Sequence, residues 1–255
     1  MSEATDRGSY YAAYWRDKFD AVQFERRIRT LQKNYEDHLP AARSARILEI
    51  GPGHGEMLEF LARAGFADLC ALDNDATLID ALRQRGAKAA LHVGDATQFL
   101  NARPGEFQCV VAMHVLEHFD AAAGQALVRA CFQGLAPAGR LFIEVPNMAN
   151  FVTAPYARWA DYTHRHGYTI ESLRAMLIVE GFHIRAGFGV ARSIGSLGQL
   201  AGHLAQRCSD ALVWALLKAN HPRLDIIAAP VIGIVAERPL SSGRVVTTNV
   251  SRDEG

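Results

Sequence analysis

The stretch Ile47-Leu48-Glu49-Ile50-Gly51-Pro52-Gly53-His54-Gly55-Glu56-Met57 (ILEIGPGHGEM) decides the fold. A short apolar run ends in glycines at 51, 53 and 55, and a helix-like pattern follows from Glu56. Glycine accepts positive φ and lets a ligand lie against the main chain with no Cβ in between. In open α/β sheets such a strand-to-helix turn is where ligands sit, beyond the carboxyl ends of the strands. A dinucleotide loop would be G-x-G-x-x-G, with glycine where Glu56 stands. The spacing here is G-x-G-x-G, and a carboxylate at the helix start repels a pyrophosphate. The loop disfavours a nicotinamide cofactor and suits a ligand whose charged end is a zwitterionic amino acid.

Outward from this loop, short apolar runs alternate with helical patterns. Strands are expected at 46–50, 69–72, 87–93, 107–113 and 141–145, with helices over 56–64, 76–85 and 121–135. The last of these helices should stop at the turn Ala136-Pro137-Ala138-Gly139. Continuous apolar strands separated by helices argue for a parallel sheet covered on both faces. The rhythm breaks at 147–168, where aromatics, histidines and prolines follow no period, as in an inserted loop or lid. A helix at 170–180, a strand at 183–188, a long amphipathic helix at about 196–219 and a last strand at 226–236 complete the chain. Pro230 points to an edge position or a bulge for that strand. The expected organisation is an N-terminal helical cap (1–45), one α/β domain (46–240) and a disordered tail (241–255).

Composition excludes several classes. With 27 basic and 27 acidic residues among 255, the formal net charge is zero, so no electrostatic grip on nucleic acid is evident. Cys70, Cys109, Cys131 and Cys208 form no CxxC pair and read as reduced thiols, not as a disulfide or zinc framework. The N-terminus shows no signal peptide, and the most apolar segment is too short to span a bilayer and contains Pro230 and Gly233. A cytoplasmic protein acting on a small molecule is the expectation. The long helix, poor in basic residues, suits core packing or a homodimer better than a membrane surface.

Carboxylates close the successive strands. Asp73, 22 positions after Gly51, can accept two hydrogen bonds from a ribose diol. In Gly94-Asp95-Ala96 an acid is placed to receive an exocyclic amine such as that of adenine. Each alone reads more simply as a turn or cap residue, and Asp75 is itself a cap candidate. Their order along the strands is the stronger signal.

With these positions in hand, the chain resembles the class I S-adenosylmethionine-dependent methyltransferases from about Arg46 to Phe188. ILEIGPGHG is similar to that family's first motif, GDA at 94–96 to its adenine-side motif, FQCVVAMHVLEHF to its fourth-strand motif and LAPAGRLFIEVPN to its turn and fifth strand. The resemblance implies a Rossmann-like sheet of seven strands in the order 3-2-1-4-5-7-6 with an antiparallel seventh strand. It implies S-adenosylmethionine as cofactor, held by Glu49, Gly51, Gly53, Gly55, Asp73, Asn74, Asp95, Ala96 and Met113.

Methyl transfer to a hydroxyl needs in-line placement of the acceptor and removal of its proton. Histidine titrates near neutrality and can take that proton. The segment Asp161-Tyr162-Thr163-His164-Arg165-His166-Gly167-Tyr168-Thr169 resembles one found in bacterial methyltransferases of sugar and polysaccharide modification. On that resemblance His164 is expected as base, oriented by Asp161, with His118 and Glu144 nearby and a sugar or glycan-precursor hydroxyl as acceptor. A backbone-bonding structural turn is an equal alternative for His164, and His166 is expected to be structural. Glu144 and Asn147, at the mouth of the fifth strand, could contact acceptor hydroxyls. Tyr10, Tyr11, Tyr14 and Trp15 could stack on an acceptor but fit a packed cap helix better.

His114-Val115-Leu116-Glu117-His118 spells H-x-x-E-H, but its first histidine ends a strand, which argues against the inverted zinc-protease motif. Ubiquinone-pathway O-methyltransferases carry a similar acid-x-x-Glu-His stretch linked to a divalent metal. His114 replaces that acid here, and no metal is assigned. Two rivals stay open: an O- or N-methyltransferase of an aromatic metabolite with an ion at His114, Glu117 and His118, and a non-catalytic adenosylmethionine-binding regulator.

Overall fold

The structure, a computed structural model, describes residues 20–193 and 197–240. Its strands are β1 (Ile47–Ile50), β2 (Leu69–Asp73), β3 (Ala90–Val93), β4 (Phe107–Met113), β5 (Leu135–Pro146), β6 (His183–Gly189) and β7 (Val231–Glu237). They form one sheet in the order β3-β2-β1-β4-β5-β7-β6. Neighbours from β3 to β5 are parallel, and β7 runs antiparallel to both β5 and β6. The helices are α1 (Ala21–Tyr35), α2 (Glu56–Arg63), α3 (Ala76–Gln84), α4 (Ala96–Asn101), α5 (Ala121–Gly134), α6 (Ala154–Trp159), α7 (Ile170–Val179) and α8 (Leu197–Asn220). The expected α/β class and strand order are both present.

The continuous apolar strands follow from burial on two faces. Successive side chains of a strand point to opposite sides. Along β4, Val110 therefore joins one buried cluster, with Leu48, Ile50 and Leu72, while Cys109 and Val111 join the other, with Ile47 and Ala71. Helix starts are set by short polar side chains: Asp20, Asp75, Asp95, Asp120 and Thr169 each accept a backbone N–H of the helix they open. Such a cap contributes about 1 kcal/mol.

Helix α1 lies within the expected N-terminal cap and is part of the core. Tyr35 is fully buried, stacked on Phe142 and set edge-on to Phe188, each at 5.5 Å between ring centroids. Gly233 of β7 permits this approach: a Cβ there would stand 2.6 Å from Phe188 and 2.7 Å from Tyr35 Oη.

Several local expectations change. β5 starts at Leu135, not 141; Ala136–Gly139 is a bulge in it, where the register jumps from the Phe107–Leu135 pair to Cys109–Arg140 and Ala138 takes φ 62°. β7 is an interior strand, not an edge. Pro230 precedes it, so its missing N–H interrupts no ladder, and its carbonyl accepts from Asn147 N at 2.9 Å. Helix α4 follows the GDA turn, where no helix was expected, and the 147–168 insertion contains α6. The expected aromatic cluster at 10–15 and the tail at 241–255 lie outside the described residues.

Candidate active site

Two groups of residues meet at the carboxyl ends of the strands, one built locally and one assembled from afar. In the first, Gly51, Gly53 and Gly55 take φ of 66°, 52° and 87°. Gly51 N donates to Leu72 O at 2.9 Å, which ties the loop to β2. A Cβ on Gly51 would stand 2.6 Å from Val115 Cγ2, whereas one on Gly53 would meet nothing within 4 Å. Gly53 thus faces open space that a side chain would fill and a ligand can use.

Asp73 ends β2. One carboxylate oxygen accepts from Asp75 N at 2.9 Å, and burial raises its pKa to about 6. Asn74 beside it is exposed. Asp95 is exposed and caps α4 through Oδ1, with Ala96 buried behind it. Met113, half-buried, ends β4 opposite Glu144 in register. Glu49 is buried within β1 with Oε2 unpartnered, and burial pushes its pKa well up. These positions fit an adenosyl amino acid: bare backbone at Gly53, a carboxylate at Asp73 for a diol, and a polar turn at Asp95 for a base.

The second group starts at His114, whose φ of 55° is left-handed, a conformation that strains a non-glycine residue. Its Nδ1 lies 3.1 Å from Glu117 Oε1 and its Nε2 3.1 Å from Glu144 Oε1. Glu144 also accepts from Arg27 Nη2 at 2.6 Å and from Tyr35 Oη at 2.9 Å. Burial alone would raise the pKa of Glu144, but Arg27 and His114 outweigh it and hold it at about 2. Burial would lower that of His114, but hydrogen bonds to the two glutamates push it up to about 9. His114 is therefore an imidazolium with both nitrogens engaged, and Glu144 is a fully buried, fully engaged carboxylate. Where a catalytic or acceptor-contacting group was expected, Glu144 is engaged by Arg27, Tyr35 and His114. Asn147 is likewise buried, donating to Ile227 O and Ala229 O.

Beyond β4 a 3-10 turn, Leu116–His118, carries Glu117 and His118. The insertion docks on it through Arg165 N and His166 N, which donate to Glu117 O at 2.8 and 3.2 Å. That contact brings Asp161, Thr163 and His164 to His118. Thr163 Oγ1 donates to Asp161 Oδ1 at 2.6 Å and lies 2.9 Å from His118 Nδ1. A hydroxyl has one proton, so Thr163 gives it to the carboxylate and must accept from His118. His118 is then the Nδ1–H tautomer, with the lone pair on Nε2. Burial lowers its pKa, which keeps it neutral at pH 7.

Of the two alternatives for His164, the backbone contact is the one present. Its Nδ1 lies 2.8 Å from Ala157 O, and a carbonyl can only accept, so Nδ1 is its donor. Asp161 instead accepts from Thr163 N and Oγ1, and so orients His118 through Thr163. The His118 and His164 rings meet edge to face at 4.8 Å. His166 packs against Tyr168, as expected of a structural residue. Thr163 was overlooked in the sequence, although the D-x-T spacing that produces its turn was visible.

One further constellation emerges. Glu117, His118 and His164 offer ligand atoms that all lie within 4.8 Å of one another. This replaces the His114, Glu117, His118 set, because His114 is taken up by the two glutamates. Two imidazoles and a carboxylate, whose Oε2 is buried without a partner, have the donor chemistry of a first-row divalent ion.

The sheet order, the glycine cradle and the acids at the strand ends define a class I S-adenosylmethionine-dependent methyltransferase fold. Residues 23–186 match the methyltransferase domain family, and the chain belongs to it. Among its relatives is a ubiquinone biosynthesis O-methyltransferase of Xylella fastidiosa (strain M23), 30% identical over 58% of this chain and 62% of the relative. One from Xanthomonas oryzae pv. oryzae is 31% identical over 48% and 51%. The chain thus spans roughly half to three fifths of these relatives' length. Similar solved structures include a methyltransferase from Archaeoglobus fulgidus, with TM-score 0.63, 19% identity, and coverage of 91% of this chain and all of that one. Another is a Burkholderia thailandensis 1,6-didemethyltoxoflavin-N1-methyltransferase with bound S-adenosylhomocysteine, with TM-score 0.59, 15% identity, and coverage of 91% and 87%. These likenesses show the fold. Among the described residues, no helix is long and apolar enough to cross a membrane.

Proposed function

We propose that the protein methylates a hydroxyl of a small acceptor, with His118 as the group that removes the hydroxyl proton. The Asp161–Thr163–His118 chain carries this assignment, because Thr163 accepts from His118 Nδ1 and so makes Nε2 the basic nitrogen of the ring. S-adenosylmethionine supplies an electrophilic methyl carbon. Gly51, Gly53, Gly55 and Asp73 hold the cofactor, with Asn74, Asp95, Ala96 and Met113 lining its adenosine end. Glu49 lies buried in β1, the strand that leads into the loop. His114 and Glu144, pinned to each other, fix the floor between the two halves.

The acceptor we put first is a hydroxylated aromatic ring, ahead of the sugar hydroxyl suggested by the D-x-T-H segment. The relatives' names support an O-methyl acceptor of the ubiquinone kind and lend nothing to a sugar. Chemistry agrees. A phenol, with a pKa of about 10, gives up its proton to a histidine far more readily than an aliphatic hydroxyl, a much weaker acid. A second version places a divalent ion at Glu117, His118 and His164, where it would lower the acceptor's pKa by direct coordination.

Transfer of labelled methyl to dihydroxylated aromatics, with nucleotide sugars in parallel, tests the proposal. Aromatic methylation that falls by about 10²-fold or more in His118→Gln supports it. Methylation of the sugars alone would refute the choice of acceptor. Loss of activity in EDTA, restored by a divalent ion, selects the metal version; indifference to EDTA selects the simple base.

A further inference from the structure

Helix α8 presents most of its surface to solvent. It lies between β6 and β7, and of its residues 200–220 only Val213 is buried. On the inward side Asp210 accepts from Asn150 at 3.1 Å and from Gln206 at 2.8 Å. At 100° per residue, the stripe turned away from Val213 runs through Ala201, Ala205, Cys208, Leu212, Ala215 and Ala219. All six are exposed, and none carries a charge or a hydrogen-bonding group other than a thiol.

Their spacing of four, three, four, three and four residues is the 3.5-residue repeat of a helix–helix seam. The order of sizes is the same from either end: two alanines, two larger residues, two alanines. Leu204 and Leu216, also exposed, stand six residues to each side of Asp210. An isologous contact needs this symmetry, because each copy must present to its partner what the partner presents to it.

We propose that α8 pairs with α8 of a second copy of this chain, antiparallel, about a two-fold axis at the level of Asp210. Alanine at both ends lets the helix axes approach to about 8 Å, the close end of the usual range. A membrane surface fits less well, because a helix lying on one carries a rim rich in Lys and Arg. Here the stripe holds four alanines, and Arg207 and Lys218 are the only Lys or Arg of 200–220. A lone pair of helices about 36 Å long is small for a stable dimer, which buries about 800 Å² per partner. With so small a contact, association in the micromolar range follows.

Cys208 supplies the test, because Cys70, Cys109 and Cys131 are buried and it is exposed. In the antiparallel pair the two Cys208 Cα atoms are offset by four residues and lie about 8 Å apart. That is beyond disulfide geometry but within a short bismaleimide. Sedimentation of the full chain should show twice the 27.9 kDa chain mass at tens of micromolar, falling to the single mass on dilution. The bismaleimide should give a covalent dimer that Cys208→Ser abolishes, and Leu212→Glu, on an exposed position, should give a folded monomer. A chain that stays monomeric at high concentration overturns the proposal. So does a dimer that survives Leu212→Glu or resists cross-linking. A monomer that floats with anionic vesicles also overturns it and assigns the stripe to a lipid surface.

Discussion

Replacing Glu144 by glutamine separates a scaffold from a catalyst. The carboxylate is 0% exposed and holds Arg27, Tyr35 and His114 at once. A pKa held at about 2 instead of 4.5 corresponds to about 3 kcal/mol of stabilisation at neutral pH. Breaking a buried ion pair from one side costs about 3–5 kcal/mol. Glutamine keeps the shape and one acceptor oxygen, so the lower figure, about 3 kcal/mol, is expected. At about 2–4 °C per kcal/mol for a domain of this size, Glu144→Gln should melt about 6–12 °C lower than wild type. The pH dependence carries a second signature. Because the Glu144 pKa is depressed, its stabilisation is present above pH 4.5 and lost as pH falls towards 2. Because the His114 pKa is raised to about 9, its contribution is complete below pH 6.5 and lost as pH rises through 9. No energy is assigned to His114, since 40% of its side chain is exposed and solvent screens it. Melting curves from pH 6 to 9.5 should show wild type losing stability on the alkaline side, and Glu144→Gln, with one carboxylate left beside His114, losing less. A variant that melts within about 2 °C of wild type yet loses catalysis by about 10²-fold would refute the scaffold role and restore Glu144 to the chemistry.

Gly53→Ala should cost about 1–2 kcal/mol, because an L residue is strained at φ 52°. Its Cβ would also fill the open cradle, so calorimetry should show adenosylmethionine binding weakened more than tenfold; unchanged affinity would mean that the cofactor does not cross Gly53. Asp73 must be ionised to accept from a diol. With its pKa at about 6, cofactor affinity should fall as pH drops below 6, by up to about tenfold per unit. Over the same range the unliganded fold gains stability, because protonation relieves a buried charge. Asp73→Asn should flatten the binding profile, and a profile that keeps its slope would assign the titration elsewhere. Thr163→Val removes the partner of His118 Nδ1 and should lower kcat about 10–100-fold with cofactor affinity unchanged. Thr163→Ser should restore most of the loss; failure to do so would mark Thr163 as a packing residue.

The cofactor side was legible because its signals are local. Three glycines within five residues, Asp73 two positions before a cap, and GDA before α4 each announce their geometry within one turn of chain. The apolar run Cys109–Met113 marked β4 despite the polar, exposed Gln108 near its start, since the strand is otherwise mostly buried on both faces. β7 was misplaced for a complementary reason. Ile226 to Pro230 is as apolar as the strand that follows, and composition cannot tell a buried approach from a ladder. Proline read as an edge signal, when it marks the residue just before pairing begins.

The acceptor side was harder because its partners are far apart in sequence. Glu144 is matched to Arg27 across 117 residues and to Tyr35 across 109, and His118 to Thr163 across 45. Chemistry alone made Glu144, Asp161 and His164 look like candidates. What distinguishes them is the direction of each proton. Glu144 accepts from three donors and has nothing left to take. His114 gives both its nitrogens away. Between the insertion and the 3-10 turn, by contrast, the protons of Thr163 and His118 Nδ1 run one way, towards Asp161, which makes Nε2 the basic nitrogen of His118. A site that must take a proton from an acceptor needs that polarity. It arises where the Glu117 carbonyl binds the backbone of 165 and 166, so the docking of the insertion on the 3-10 turn is the folding event that aligns Asp161, Thr163 and His118.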